Sequence, residues 1–273
     1  MTFSVPYPSE PLTPAFGPPT SKANFCEEDF VVSAWIAEFV NTLSNLTYVL
    51  YAIRGFRRSQ HGSHAAKAMY AGLALVGICS ALFHGLLKYW SQMFDDTSMI
   101  IASATVLHRS MTYGQSKEFS QIFTPTLVAL VVIETIYHTV TNEIKVHELA
   151  FLILIALVAL RTRQLVKQRV SKEQDRRRLR WVIALGAGCM VFGYFLWQLD
   201  FRYCAELTQL KRAVGMPWSF VLEFHGWWHV LTAVGAFTFM SLVESLTQER
   251  AIVSVNPFSF VARWFHQDEE KQR

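Results

Sequence analysis

The chain is short of charge. Asp, Glu, Lys and Arg make up 17% of its 273 residues, against about a quarter in soluble globular domains. That shortage excludes a disordered chain and argues against an ordinary cytosolic enzyme. Four cysteines are too few for a disulfide scaffold, and 13 glycines and nine prolines too few for a collagen-like chain. Also missing are a Gly-x-Gly-x-x-Gly fingerprint, a Walker loop, a Gly-x-Ser-x-Gly elbow, a long heptad pattern and an internal repeat. Without matched halves carrying broken spans, a secondary transporter is not expected.

Apolar surface is what the chain has in excess. Hydrophobic residues reach 52%, with 21 Phe, nine Tyr and eight Trp, more than one water-soluble core of this size can hide. Seven stretches are long enough, at roughly 17 to 25 residues, to cross a bilayer: about 32–53, 68–88, 96–114, 121–140, 146–163, 181–200 and 221–243. The expected fold is therefore all-α, a seven-transmembrane helical bundle over 32–243, between an N-terminal tail over 1–31 and a C-terminal tail over 244–273. The fifth stretch, AFLILIALVAL, is the clearest; the first contains Glu38, Asn41 and Asn45, and the third is edged by Asp96, His108 and Arg109. The first 30 residues lack a basic stretch followed by an apolar one, so they are not read as a signal peptide.

Basic residues set the orientation. Nine of the 25 Lys and Arg lie between Arg161 and Arg180, beside two acids, Glu173 and Asp175. A cytosolic loop accounts for this cluster better than a phosphate-binding face, so no nucleic acid partner is expected. Arg54, Arg57, Arg58 and Lys67, then Arg109 and Lys117, then Arg250, Arg263, Lys271 and Arg273 fall on the same side, and the alternate loops are poorer in Lys and Arg. Seven crossings then place the N-terminus in the lumen and the C-terminus in the cytosol.

Ionisable residues inside a bilayer are costly and mark function by default. His225 and His229 stand one helical turn apart, and His84 and Asp95 fall at the same depth on the second and third spans. Three imidazoles with an open fourth position are the donor set of a catalytic zinc, and a nearby carboxylate such as Asp95 would serve as the base for water. Histidines at helix ends also bond merely to head groups or carbonyls, so both readings stand at this point. Ser80, one turn before His84, is either a hydroxyl donor to an oxyanion or an interhelical hydrogen-bonding residue.

A second group is acidic. Asn24, Glu27, Asp29 and Glu38, with the Phe25 carbonyl, offer the oxygen ligands that calcium takes, but without EF-hand spacing. A solvated helix cap made by Asp29 is the equal alternative. Glu134 and His138, one turn apart, are candidates for an internal pair; Trp218, Trp227 and Trp228 for an interfacial belt; Cys26 and Cys204 for a lumenal disulfide.

The runs NFCEEDF and WIAEFVNTLSNL, then SALFHGLLKYWSQMFDD, then EFHGWWHVLT resemble the signature blocks of the alkaline ceramidase family, and the chain is most similar to its fungal members over about residues 22–245. The resemblance implies a multi-pass hydrolase of the endoplasmic reticulum and Golgi membranes that cleaves the ceramide amide, with phytoceramide or dihydroceramide as substrate. It implies zinc on His84, His225 and His229, catalysis aided by Asp95 and Ser80, and calcium on Asn24, Phe25, Glu27, Asp29 and Glu38. Family members often carry Asp then Trp where this chain has Asn24 and Phe25, which implies weaker calcium binding. The alternative class is a receptor of the adiponectin-receptor type with a buried zinc site.

Overall fold

Each expected apolar stretch contains helix, and the computed structural model, which describes residues 4–59 and 64–248, contains no strand ladder among those residues. In chain order the helices are α1 (Phe39–Ser44), α2 (Leu46–Arg58), α3 (His64–Leu86), α4 (Tyr89–Thr112), α5 (Lys117–Thr141), α6 (Ile144–Arg169), α7 (Glu173–Arg202), α8 (Cys204–Val214) and α9 (Phe224–Leu246), with a 3-10 turn at Trp218–Leu222 before α9. Five of them, α3, α5, α6, α7 and α9, are long and apolar enough to cross a membrane. The basic residues expected beyond residue 248 lie outside the described residues.

The first expected span departs most from a continuous helix. Residues 32–38 are irregular, and the helix that starts at Phe39 is interrupted at Asn45. Local competition explains both features. The Ala37 and Glu38 N–H groups donate to the Gly85 and His84 carbonyls at the end of α3, filling acceptors that a helix end leaves open. The Ser44 hydroxyl and Asn45 amide both donate to the Asn41 carbonyl, and such side chains compete with the helical ladder. α4 is more polar than these five for a different reason: Ser91, Gln92, Asp95, Ser98, Ser103 and Ser110 are buried along it.

α9 is the central element, packed against α2, α3, α4, α6 and α7. Tyr70, Leu73, Leu107, Phe237 and Met240 contribute to the main apolar core. α5 is peripheral, with Ile122, Leu130, Ile133 and Val140 exposed, as suits side chains facing lipid. Glu134 and His138 do not pair with each other. His138 Nε2 meets Asp96 Oδ2 of α4 at 2.8 Å, and Glu134 Oε1 meets His147 Nδ1 of α6 at 2.8 Å, so the two residues tie α5 to different neighbours. Of the three tryptophans expected in the belt, Trp218 and Trp227 are exposed, while half-buried Trp228 packs on Trp197.

One end of the bundle holds the N-terminal segment. Leu87, in the left-handed region at φ 49°, turns the chain from α3 into α4, and its carbonyl accepts from the Thr20 and Ser21 N–H groups. The Lys88 ammonium donates to the Gly17 and Pro18 carbonyls. Cys26 and Cys204 form the expected disulfide, with Cα atoms 5.2 Å apart.

α7 and α9 approach closely because Gly186 and Gly235 face each other: a Cβ at 235 would lie 2.7 Å from Met190 Cγ and 2.9 Å from the Gly186 carbonyl oxygen. Gly235→Leu should therefore force the helices apart and cost about 1–3 kcal/mol. Thermal unfolding in detergent checks this, and an unchanged midpoint would show that the contact is not tight.

Candidate metal centre

His84 comes from the last turn of α3, and His225 and His229 from the first two turns of α9. Their candidate ligand nitrogens all lie within 4.8 Å of one another, and all three residues are buried, at 1%, 4% and 3% exposure. Neighbouring hydrogen bonds select the tautomers of two rings. Glu38 Oε2 contacts His84 Nδ1, and an ionised carboxylate only accepts, so Nδ1 carries the proton and Nε2 keeps its lone pair. Ser44 Oγ donates its proton to the Asn41 carbonyl, so at 2.8 Å from His229 Nδ1 it accepts from that ring as well. His225 differs: its Nδ1 is buried and has no hydrogen-bond partner, and its ring stacks on Phe25 with centroids 3.7 Å apart. Two oriented imidazoles and one orphaned buried nitrogen fit a divalent metal of the zinc type, whose ligating histidines commonly hold an outer partner on the other nitrogen.

Asp95 and Ser80 are both buried, on α4 and α3, and the Ser80 hydroxyl bonds to the Asp95 carboxylate. Asp95 Oδ1 has no partner. Ser80 thus neighbours the Asp95 carboxylate as well as following the helix face of His84. Since Ser80 is one turn from His84, this pair stands beside the histidine cluster.

The acidic residues divide among several tasks. Glu27 caps α1 from a distance, accepting from the Val40 and Asn41 N–H groups at 2.6 and 2.7 Å. The capping expected of Asp29 thus falls to Glu27. Glu38 accepts from the Phe25 N–H at 3.2 Å and Asn41 Nδ2 at 3.0 Å besides holding His84. Asn24 Nδ2 donates to Asp29 Oδ2 at 3.1 Å, whereas Asp29 Oδ1 is buried without a partner. Burial, then the Glu38 charge, pushes the Asp29 carboxyl up to about 6, and burial with Glu223 and Glu38 nearby drives Glu27 in the same direction. Asn24, Phe25, Glu27 and Asp29 line a surface cleft of about 330 Å³ that Glu38 does not border, and the carboxylates do not converge as the imidazoles do.

Sequence reasoning missed Ser44, Asn41, Lys211 and Glu223 as parts of this end of the bundle. Ser44 and Asn41 stood in view as polar residues inside an apolar stretch and Glu223 at the edge of another, whereas Lys211 looked like an ordinary loop charge.

The family model described as Ceramidase matches residues 17–268. The alkaline ceramidase YPC1 of Saccharomyces cerevisiae is 31% identical, over 94% of this chain and 86% of its own length. Alkaline ceramidase 3 of Mus musculus is 30% identical, over 81% and 82%, and the alkaline ceramidase of Arabidopsis thaliana 24% identical, over 81% and 82%. A match of this extent, on a bundle that carries the buried histidine cluster within it, means that the chain belongs to the alkaline ceramidase family of hydrolases.

Proposed function

We propose that this protein is a zinc-dependent intramembrane amidase that hydrolyses ceramide, of the phytoceramide or dihydroceramide type, to a long-chain base and a free fatty acid. The observation that carries the reading is the buried His84, His225 and His229 set with an unpartnered nitrogen, beside an Asp95 oxygen that is also unpartnered. Relatives named as ceramidases favour an enzyme over the receptor alternative, which gains no support. When bound, zinc would supply Lewis-acid polarisation of the amide carbonyl and a more acidic water. Asp95 Oδ1 takes a proton as the water oxygen attacks the carbonyl carbon, then passes it to the amine nitrogen as the C–N bond breaks. Ser80, which neighbours Asp95, serves as a hydroxyl donor to the tetrahedral oxyanion in this reading. An apolar cavity of about 60 Å³, bordered by Tyr48 and Thr232 one turn beyond His229, offers a place for the first part of an alkyl chain.

In this reading the chain crosses the membrane seven times, with α1 and α2 together as the first crossing and α4 as the third, an N-terminal lumenal tail and a cytosolic C-terminus. The endoplasmic reticulum membrane, with the Golgi as a second address, suits a lumenal Cys26–Cys204 disulfide. A protease added to intact microsomes should remove a reporter fused after Arg273 and leave an N-terminal tag untouched; the opposite pattern would reverse the orientation.

His225→Ala should abolish ceramide turnover and most of the bound zinc measured on detergent-purified protein. Asp95→Asn should keep the zinc and lose turnover by about 100-fold or more. Full zinc occupancy in His225→Ala, or wild-type turnover in Asp95→Asn, would end the respective assignment.

Calcium at Asn24, the Phe25 carbonyl, Glu27, Asp29 and Glu38 is the companion proposal, supported by the buried, unpartnered Asp29 Oδ1 among like charges. A carboxyl whose folded-state value is raised from 3.8 to about 6 binds its proton more tightly when folded. Its contribution to stability without metal is therefore full below the ordinary carboxylate range and is lost as pH rises through about 6. Calcium favours the ionised form, so it should raise the melting temperature at neutral pH and progressively less on acidification through that window. Melting curves with calcium or chelator check this, and an equal calcium effect at both ends of the window would count against Asp29 as a ligand.

A further inference from the structure

Lys211 lies in α8, the amphipathic helix that joins α7 to the turn before α9, and its side chain is fully buried. Burying an ammonium is costly unless charge and hydrogen bonds compensate it. Here Nζ donates to Glu223 Oε2 and to the Cys26 carbonyl, each at 2.8 Å. Glu38, Asp200 and Glu223 all lie within electrostatic reach of it. The Cys26 N–H is held in turn by Asp200 Oδ2 at 3.1 Å, so both sides of the Cys26 backbone are fastened by buried charged groups.

The partner residue matters as much as the charge. Cys26 is linked by disulfide to Cys204, at the start of the same helix, about two turns before Lys211. α8 therefore grips one short stretch of the N-terminal segment twice on one face. The next residue back, Phe25, gives its N–H to Glu38 Oε1 and lays its ring on His225. Glu38 holds His84 Nδ1. A continuous path of hydrogen bonds and ring contact thus leads from the Lys211 ammonium to two of the three histidines.

We infer that Lys211 is a positioning residue for the metal centre: its buried ammonium fixes the Cys26 carbonyl and thereby the Phe25–Glu38 contact that orients His84 and covers His225. The inference rests on the reading of the three histidines as metal ligands. The ammonium supplies positive charge from within the chain to a region crowded with carboxylates, and it acts on the ligands from outside their own shell.

The test compares wild type with Lys211→Met and with Lys211→Met/Glu223→Gln, each full length in detergent. Lys211→Met leaves Glu223 buried and unpaired, which threatens folding; the double variant removes both charges and avoids that penalty. Metal-free melting temperature reports folding, and competition with a chromophoric chelator reports zinc affinity. The double variant should fold with a melting temperature near that of wild type and bind zinc about 10- to 100-fold more weakly, with kcat lowered and KM little changed. Wild-type zinc affinity in a folded double variant overturns the inference. Failure of both variants to fold overturns it too, since Lys211 would then govern the whole bundle. If wild type binds no zinc, the metal reading fails first. If wild type binds zinc and loses it in His225→Ala while the double variant binds normally, only the role of Lys211 is lost.

Discussion

The contact between the Glu38 carboxylate and His84 Nδ1 is the interaction on which this end of the molecule depends. A carboxylate with no exposed surface is tolerable only when its lone pairs are used. Glu38 uses them on three donors from three places: the Phe25 N–H in the tail, Asn41 Nδ2 in α1 and His84 in α3. Its own N–H returns to the His84 carbonyl. The residue therefore fixes the start of α1, the course of the tail and the tautomer of a candidate ligand at once.

The bundle beneath is built on different terms. Its helices are apolar on most sides, and their close approach depends on small residues, as at Gly186 and Gly235, while Tyr70 fills the space left at Gly55. Several polar groups that remain in this layer bond across helices. Tyr70 donates to Glu244 near the far end of α9, and Asp96 meets His138 between α4 and α5. At the end where the tail and α8 close over the helices, His225 Nδ1, Asp95 Oδ1 and Asp29 Oδ1 are buried without a partner. Unsatisfied buried atoms carry a cost, which a bound ligand at this end would offset.

Glu134 and His138 show how sequence spacing misleads. One turn apart on a helix, they satisfy the geometric condition for pairing, yet each side chain reaches another helix and finds a stronger buried partner. Ser80 shows the complementary case. Its depth beside His84 was readable from helical periodicity, but its closeness to Asp95 was not, because Asp95 arrives from α4.

The all-helical class, the approximate position of every apolar segment and the three histidines at a common depth were determined by the sequence alone, since hydrophobic length and helical periodicity are local properties. The Cys26–Cys204 pairing was legible for a related reason: both residues border segments that end on the same side. Tertiary structure decided the rest. Glu27 as a remote cap for α1, Ser44 as the acceptor behind His229 and Lys211 as the ammonium beneath Cys26 each join residues far apart in the chain. Such contacts depend on how helices and tail pack, and no periodicity within a single segment encodes them.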